Sequence, residues 1–126
     1  MANIQKDLKY TEDHEWVKVD GDFAVIGVTD YAQGELGDVV FMELPEEGDD
    51  VTRGEAFGSV EAVKTVADLF APVSGTVEEV NGDLEDAPET VNNDPYGAGW
   101  FIKVKMSDPT ELDGLMDADA YAQHTA

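Results

Sequence analysis

Along this chain the apolar positions come in short runs of period two, each closed by glycine, proline or a cluster of acids. "EWVKVD" (15–20) alternates around Trp16, Val17 and Val19, then "DGD" turns into "FAVIGVT" (23–29). The pair predicts a β-hairpin. "TDYAQGELG" (29–37) opens on capping residues and ends in glycine, which predicts one or two helical turns. "DVVFMEL" (38–44) reads as a strand closed by the turn "PEEGD". "VTRGEAFGSVEA", "KTVADLFAP" and "SGTVEEVNG" are strand-like runs punctuated by Gly54, Gly58, Pro72, Gly75 and Gly82. Spacing this close predicts an antiparallel sandwich or barrel, since parallel βαβ units need long crossovers. The polar stretch 83–99 has room for one short helix, and "WFIKVKM" (100–106) reads as the last strand. Beyond it, a capped helix should break near Gly114 and be followed by a short tail helix. Leu112, Leu115, Met116 and Tyr121 would pack there onto the sheet. Residues 1–13 are polar and are expected to be loosely held.

Composition narrows the picture. A chain of 126 residues, 42% of them hydrophobic, is one domain's worth and can bury a modest core. Against 29 acidic residues stand only 7 basic ones, a formal charge of −22. The acids are spread from Asp7 to Asp119 and do not form a tail. Such a surface repels itself across a Debye length of roughly 8 Å at physiological salt, falling to roughly 3 Å at molar salt. Dispersed acid therefore suggests a protein of a salt-loving cell, stabilised by salt. Nucleic acid is disfavoured as a ligand, because phosphate binding needs clustered Lys and Arg. With no cysteine, disulfides, thiolate metal sites and thiol catalysis are absent, and no metal ligand set stands out. No apolar run reaches membrane-spanning length, and the opening "MANIQKDLKY" lacks a signal-peptide core, so a cytoplasmic location is expected.

Against this acidic background one residue stands apart. Lys64 is the only basic residue between positions 54 and 102, and Ala62, Val63, Thr65 and Val66 around it are uncharged. Gly54 lies ten positions before it and Gly75 eleven after, so a hairpin with matched arms would carry Lys64 at its tip. Its amine could form a Schiff base, pair with Glu61 or Asp68, or be acylated. A Schiff-base lysine needs a desolvating pocket, which a hairpin tip lacks. A surface ion pair is worth about 0–1 kcal/mol. On these grounds alone an ordinary solvated lysine outweighs a modified one. His14 and Trp16 carry no catalytic reading, because no nucleophile stands beside a base. Trp16 and Trp100 read as core or cleft-wall aromatics, and "NNDPYGAGW" as a shaping loop without chemistry of its own.

The flanks of Lys64 change the balance. "EAVKTVADLFAPVSGTVEEVN" resembles the attachment hairpin of the lipoyl/biotinyl carrier family, and more specifically that of the glycine cleavage H-proteins. "HEWVKV" (14–19), "IGVTDYAQGELGDVVFMELPEEGDDV" (26–51), "ETVNNDPYGAGWFIKVK" (89–105) and "ELDGLMDADAY" (111–121) follow that family's order and spacing, from about residue 8 to 121. The resemblance implies a mostly β, flattened barrel (a barrel-sandwich hybrid) with short peripheral and C-terminal helices, all within one domain over 1–126. It implies a carrier and not an enzyme, with lipoate joined to Lys64 by an amide. A pyridoxal-phosphate glycine decarboxylase (P-protein) would load the arm with an aminomethyl group. A tetrahydrofolate-dependent aminomethyltransferase (T-protein) would unload it, and dihydrolipoamide dehydrogenase (L-protein) would reoxidise it. A lipoate ligase or lipoyl transferase would attach the cofactor, with Glu61 aiding its recognition of the hairpin. The family often has serine where Ala62 stands. Because the loaded arm is thought to fold into a cleft on its own domain, its cationic amine should meet carboxylates there, and Glu15 and Asp68 are the candidates.

Other carriers fit less well. The lipoyl modules of 2-oxoacid dehydrogenases are tethered by Ala/Pro-rich linkers that are absent here, and biotin-bearing lysines are typically flanked by methionines, where this chain has Val63 and Thr65. A lipoyl donor to other enzymes, or an unmodified scaffold, stays open on the sequence.

Overall fold

A computed structural model describes residues 4–125 of the chain. Within these described residues nine strands form two antiparallel sheets. Six strands make the larger: β1 (Lys9–Tyr10), β2 (Glu15–Asp20), β3 (Phe23–Val28), β5 (Asp50–Val51), β8 (Gly75–Val80) and β9 (Ile102–Met106), in the order β1-β2-β3-β9-β8-β5. The smaller holds β4 (Val39–Glu43), β6 (Ala56–Ala62) and β7 (Val66–Phe70), in the order β4-β6-β7. The chain crosses between the sheets where Ala71 exchanges backbone hydrogen bonds with Gly54 and Glu55, each 2.9 Å long. Alternation decides what faces inward: Ala24, Ile26 and Val28 of β3, Ile102 and Val104 of β9, and Val60 of β6 meet in one core between the sheets. This is the expected flattened barrel-sandwich.

Helices fill the periphery. In α1 (Asp30–Leu36), the Thr29 hydroxyl caps the start by accepting from the Ala32 amide, and Gly37 ends it. The stretch 83–99 contains two single turns, α2 (Asp83–Asp86) and α3 (Thr90–Asn93), where one short helix was expected. The C-terminal break near Gly114 is present, but the first element is a 3₁₀ helix, Pro109–Gly114, followed by α4 (Ala118–His124). Leu112 and Leu115 pack against the main core, while Met116 and Tyr121 join a second cluster on the outer face of the larger sheet.

The N-terminal expectation needs correcting. Residues 1–3 lie outside the described region, but Leu8 and Tyr10 are buried, and β1 pairs with β2. Tyr10 and Met116 exchange backbone hydrogen bonds of 2.8 Å, so the first strand is clamped by the far end of the chain. Two residues are too few to show a period, and the covering segment lies more than a hundred positions away. That is why the polar composition around Tyr10 misleads. Among the described residues no helix is long and apolar enough to cross a membrane.

Candidate functional site

Strands β6 and β7 form the predicted hairpin, in register from Ser59↔Asp68 to Glu61↔Val66. The Ala62 amide donates to the Thr65 carbonyl at 2.8 Å and closes the turn, leaving Lys64 exposed at its tip. The tip does not stand free. The Val63 amide donates to the Asp38 carbonyl at 2.9 Å, tying the turn to the loop after α1.

That loop is a platform. Gly37 has φ 78° and ψ −160°, a backbone region open essentially to glycine alone. A Cβ there would lie 3.2 Å from Cγ and Cδ of Lys64, so the lysine stem rests on bare backbone. Asn92 of α3 fixes the platform: its Nδ2 donates to the Gly37 carbonyl (2.8 Å) and its Oδ1 accepts from the Val39 amide (2.8 Å). The "NNDPYGAGW" loop, read from the sequence as having no role beyond shape, thus positions the backbone under Lys64.

Beside the platform opens a cleft of about 160 Å³. Glu35 and Leu36, the residues just before Gly37, lie on its wall, so the backbone against the Lys64 stem continues into the cleft. Asp13, Glu15, Glu35 and Asp68 line it together with His14, between apolar walls that include Val28 and Leu69. Glu15 and Asp68, fifty-three positions apart in sequence, therefore share one cavity. They differ in character. Asp68 is exposed on β7, whereas Glu15 is only 2% exposed, accepting from the Thr11 hydroxyl at 2.9 Å and weakly from the Phe70 amide at 3.4 Å. Burial raises the Glu15 carboxyl to a pKa of about 8, overriding the two hydrogen bonds that favour its ionised form. Glu15 also borders a second cavity of about 350 Å³, beside Arg53 and Met116.

His14, part of the cleft lining, has its backbone in the left-handed region (φ 68°). A relay supports it: the Ala32 amide donates to Thr29 Oγ1, the Thr29 hydroxyl meets the Tyr121 hydroxyl at 2.7 Å, and that in turn meets His14 Nδ1 at 2.8 Å. Burial, and then the His124 ring nearby, lower the His14 pKa, which suits a neutral imidazole accepting from Tyr121. The sequence reading missed His14, Glu35, Gly37 and Asn92 as site residues. Only Gly37, a glycine ending a predicted helix, left a local signal. Trp16 is buried in the second cluster and donates to the Pro95 carbonyl at 2.9 Å, and Trp100 packs partly buried against the same cluster.

Comparison with known proteins gives a consistent result. The family model described as "Glycine cleavage H-protein" matches residues 8–126. The glycine cleavage system H protein of Chlorobium phaeovibrioides is 62% identical over 123 residues, spanning 96% of each chain. That of Staphylococcus carnosus is 58% identical over 120 residues, spanning 95% of each. A crystal structure of the glycine cleavage system H protein from Mycobacterium marinum superposes with a TM-score of 0.90 at 43% identity, covering 97% of this chain and 98% of that one.

Proposed function

The chain belongs to the glycine cleavage H-protein family, and from that premise we propose that it is the lipoyl carrier of a glycine cleavage system, with the cofactor on Lys64. The observation that carries this reading is the exposed Lys64 at a closed, braced turn, with its stem on Gly37 and an acidic cleft beside it. These residues fit a lipoyl group: the amine is accessible for acylation, and a flexible arm fixed there starts next to the cleft. When bound, the group supplies the dithiolane sulfurs that take the aminomethyl group of glycine from the P-protein and pass it to the T-protein, after which the L-protein restores the disulfide.

The chain's own residues hold and orient. Lys64 loses its charge on acylation and becomes a tether. Asp68 offers a solvated carboxylate to a cationic amine entering the cleft. Glu15 is held largely protonated near pH 7 by burial. A cation placed against it would stabilise the carboxylate, so Glu15 would release its proton on pairing and need no counter-charge while the cleft is empty. Glu61 stands two strand positions from the turn on the exposed face, where an acylating enzyme must approach. No residue here acts as a catalyst in this reading; the chain is a carrier subunit, working in the cytoplasm. Intact mass of protein from its native host, followed by peptide fragmentation, tests it: one lipoyl adduct on Lys64 is expected. An unmodified Lys64 in cells replete with lipoate would overturn the reading.

A further inference from the structure

The described residues include five exposed large apolar side chains, and four of them lie on the Lys64 hairpin or on the strand paired with it. Val40, Phe41, Val63 and Val66 are between 52% and 72% exposed; the fifth, Val19, lies on β2 in the other sheet. A bulge makes the cluster. Between Val39↔Ala62 and Phe41↔Glu61 the register shifts, so two residues of β4 oppose one of β6, and Val40 and Phe41 both reach solvent. Phe41 stands opposite Glu61, and Glu61 opposite Val66, giving one cross-strand row on the outer face of the smaller sheet. Polar side chains would serve the strand as well at these positions, so the fold alone does not call for this patch.

We infer that Val40, Phe41, Val63 and Val66 form the docking surface for the enzyme that acylates Lys64, seated around Glu61. This rests on the carrier reading above. The argument is one of reach. Enzymes that work on the sulfurs meet them at the far end of a long arm and need not touch the turn. The acylating enzyme must bring an activated acyl carbonyl within bonding distance of Lys64 Nζ. There the new N–C bond forms as the bond from the acyl carbon to adenylate oxygen breaks, and the ammonium gives up two protons. Closing on Nζ covers Val63 and Val66, and the same footprint extended along the row reaches Phe41 and Val40. The matching surface is apolar, with a basic side chain opposite Glu61.

The test uses the full, unmodified chain with purified lipoate ligase, lipoate and ATP, following the Lys64 adduct by intact mass. Phe41→Ser, alone and with Val40→Ser, should lower kcat/KM about tenfold, carried mainly by KM, as expected for losing a buried aromatic contact. Phe41→Leu should restore most of it, and Val19→Ser should behave as wild type. Equal rates for Phe41→Ser and wild type would overturn the inference, as would a loss shared by Val19→Ser or not restored by Phe41→Leu. A wild-type chain that the ligase cannot modify would instead sink the carrier reading itself.

Discussion

The two sheets treat their outer faces in opposite ways. On the larger one, Tyr10 and Trp16 are sealed by α4 and by the loop before β9, with the Tyr10 and Tyr121 rings stacked at 4.5 Å. On the smaller one, Phe41 and Val66 are left in water beside Lys64. Apolar area of the same kind is thus spent on the fold in one place and kept for a partner in the other. The difference teaches that burial, not residue type, separates structural aromatics from functional ones in this molecule.

The comparison breaks first at Tyr121. Tyr121→Ala removes the stacked ring and strands the Thr29 hydroxyl and His14 Nδ1, so urea denaturation should show a loss of about 3–5 kcal/mol. If the loss were no larger than for an exposed residue, the covered face would not be holding the fold.

Glu15 gives the next largest effect, and it depends on pH. Below about pH 4.5 folded and unfolded chains both hold its proton; from there to about pH 8 the unfolded chain loses it while the folded chain keeps it. Wild-type stability therefore falls as pH rises through this window, and above it the full penalty of a buried carboxylate is present. Glu15→Gln keeps an acceptor for Thr11 and cannot ionise. Relative to wild type it should gain about 4 kcal/mol between pH 4 and pH 9, read from denaturant midpoints at each pH. A difference that stays constant with pH would contradict a carboxyl kept neutral by burial.

Gly27→Ala probes the seat of the covered face, since a Cβ there would fall 2.7 Å from the Trp16 ring; a loss of about 2 kcal/mol is expected in the same assay. Salt should act on the whole surface. With a formal charge of −22, the melting temperature should climb between low and molar KCl, and a flat response would remove the high-salt reading of the composition. The smallest effect belongs to the open face: Phe41→Ser should stay within about 0.5 kcal/mol of wild type, despite replacing a phenylalanine.

Much of the architecture was legible because it is written locally. The 15–20 and 23–29 runs became β2 and β3, Thr29 and Gly37 bounded α1, and the matched arms around Lys64 became β6 and β7 with the lysine at their turn. Those signals depend only on period two, capping chemistry and turn residues, which a short window contains. Less was legible where partners are distant. Tyr10 looked like part of a loose polar arm because Met116 and Tyr121, which bury it, arrive only on folding. Asn92 sat in a loop of no evident chemistry because the backbone it clamps belongs to residues 37–39.

By itself, then, the sequence determined the strands, the hairpin, the lysine at its tip and the acidic surface, since each follows from neighbours along the chain. The tertiary structure alone decided that Glu15 is buried while Asp68 is solvated, that the two share one cleft, and that Phe41 faces water. Burial and register are properties of packed surfaces. A one-residue bulge or a covering helix reverses them without altering the local sequence at all.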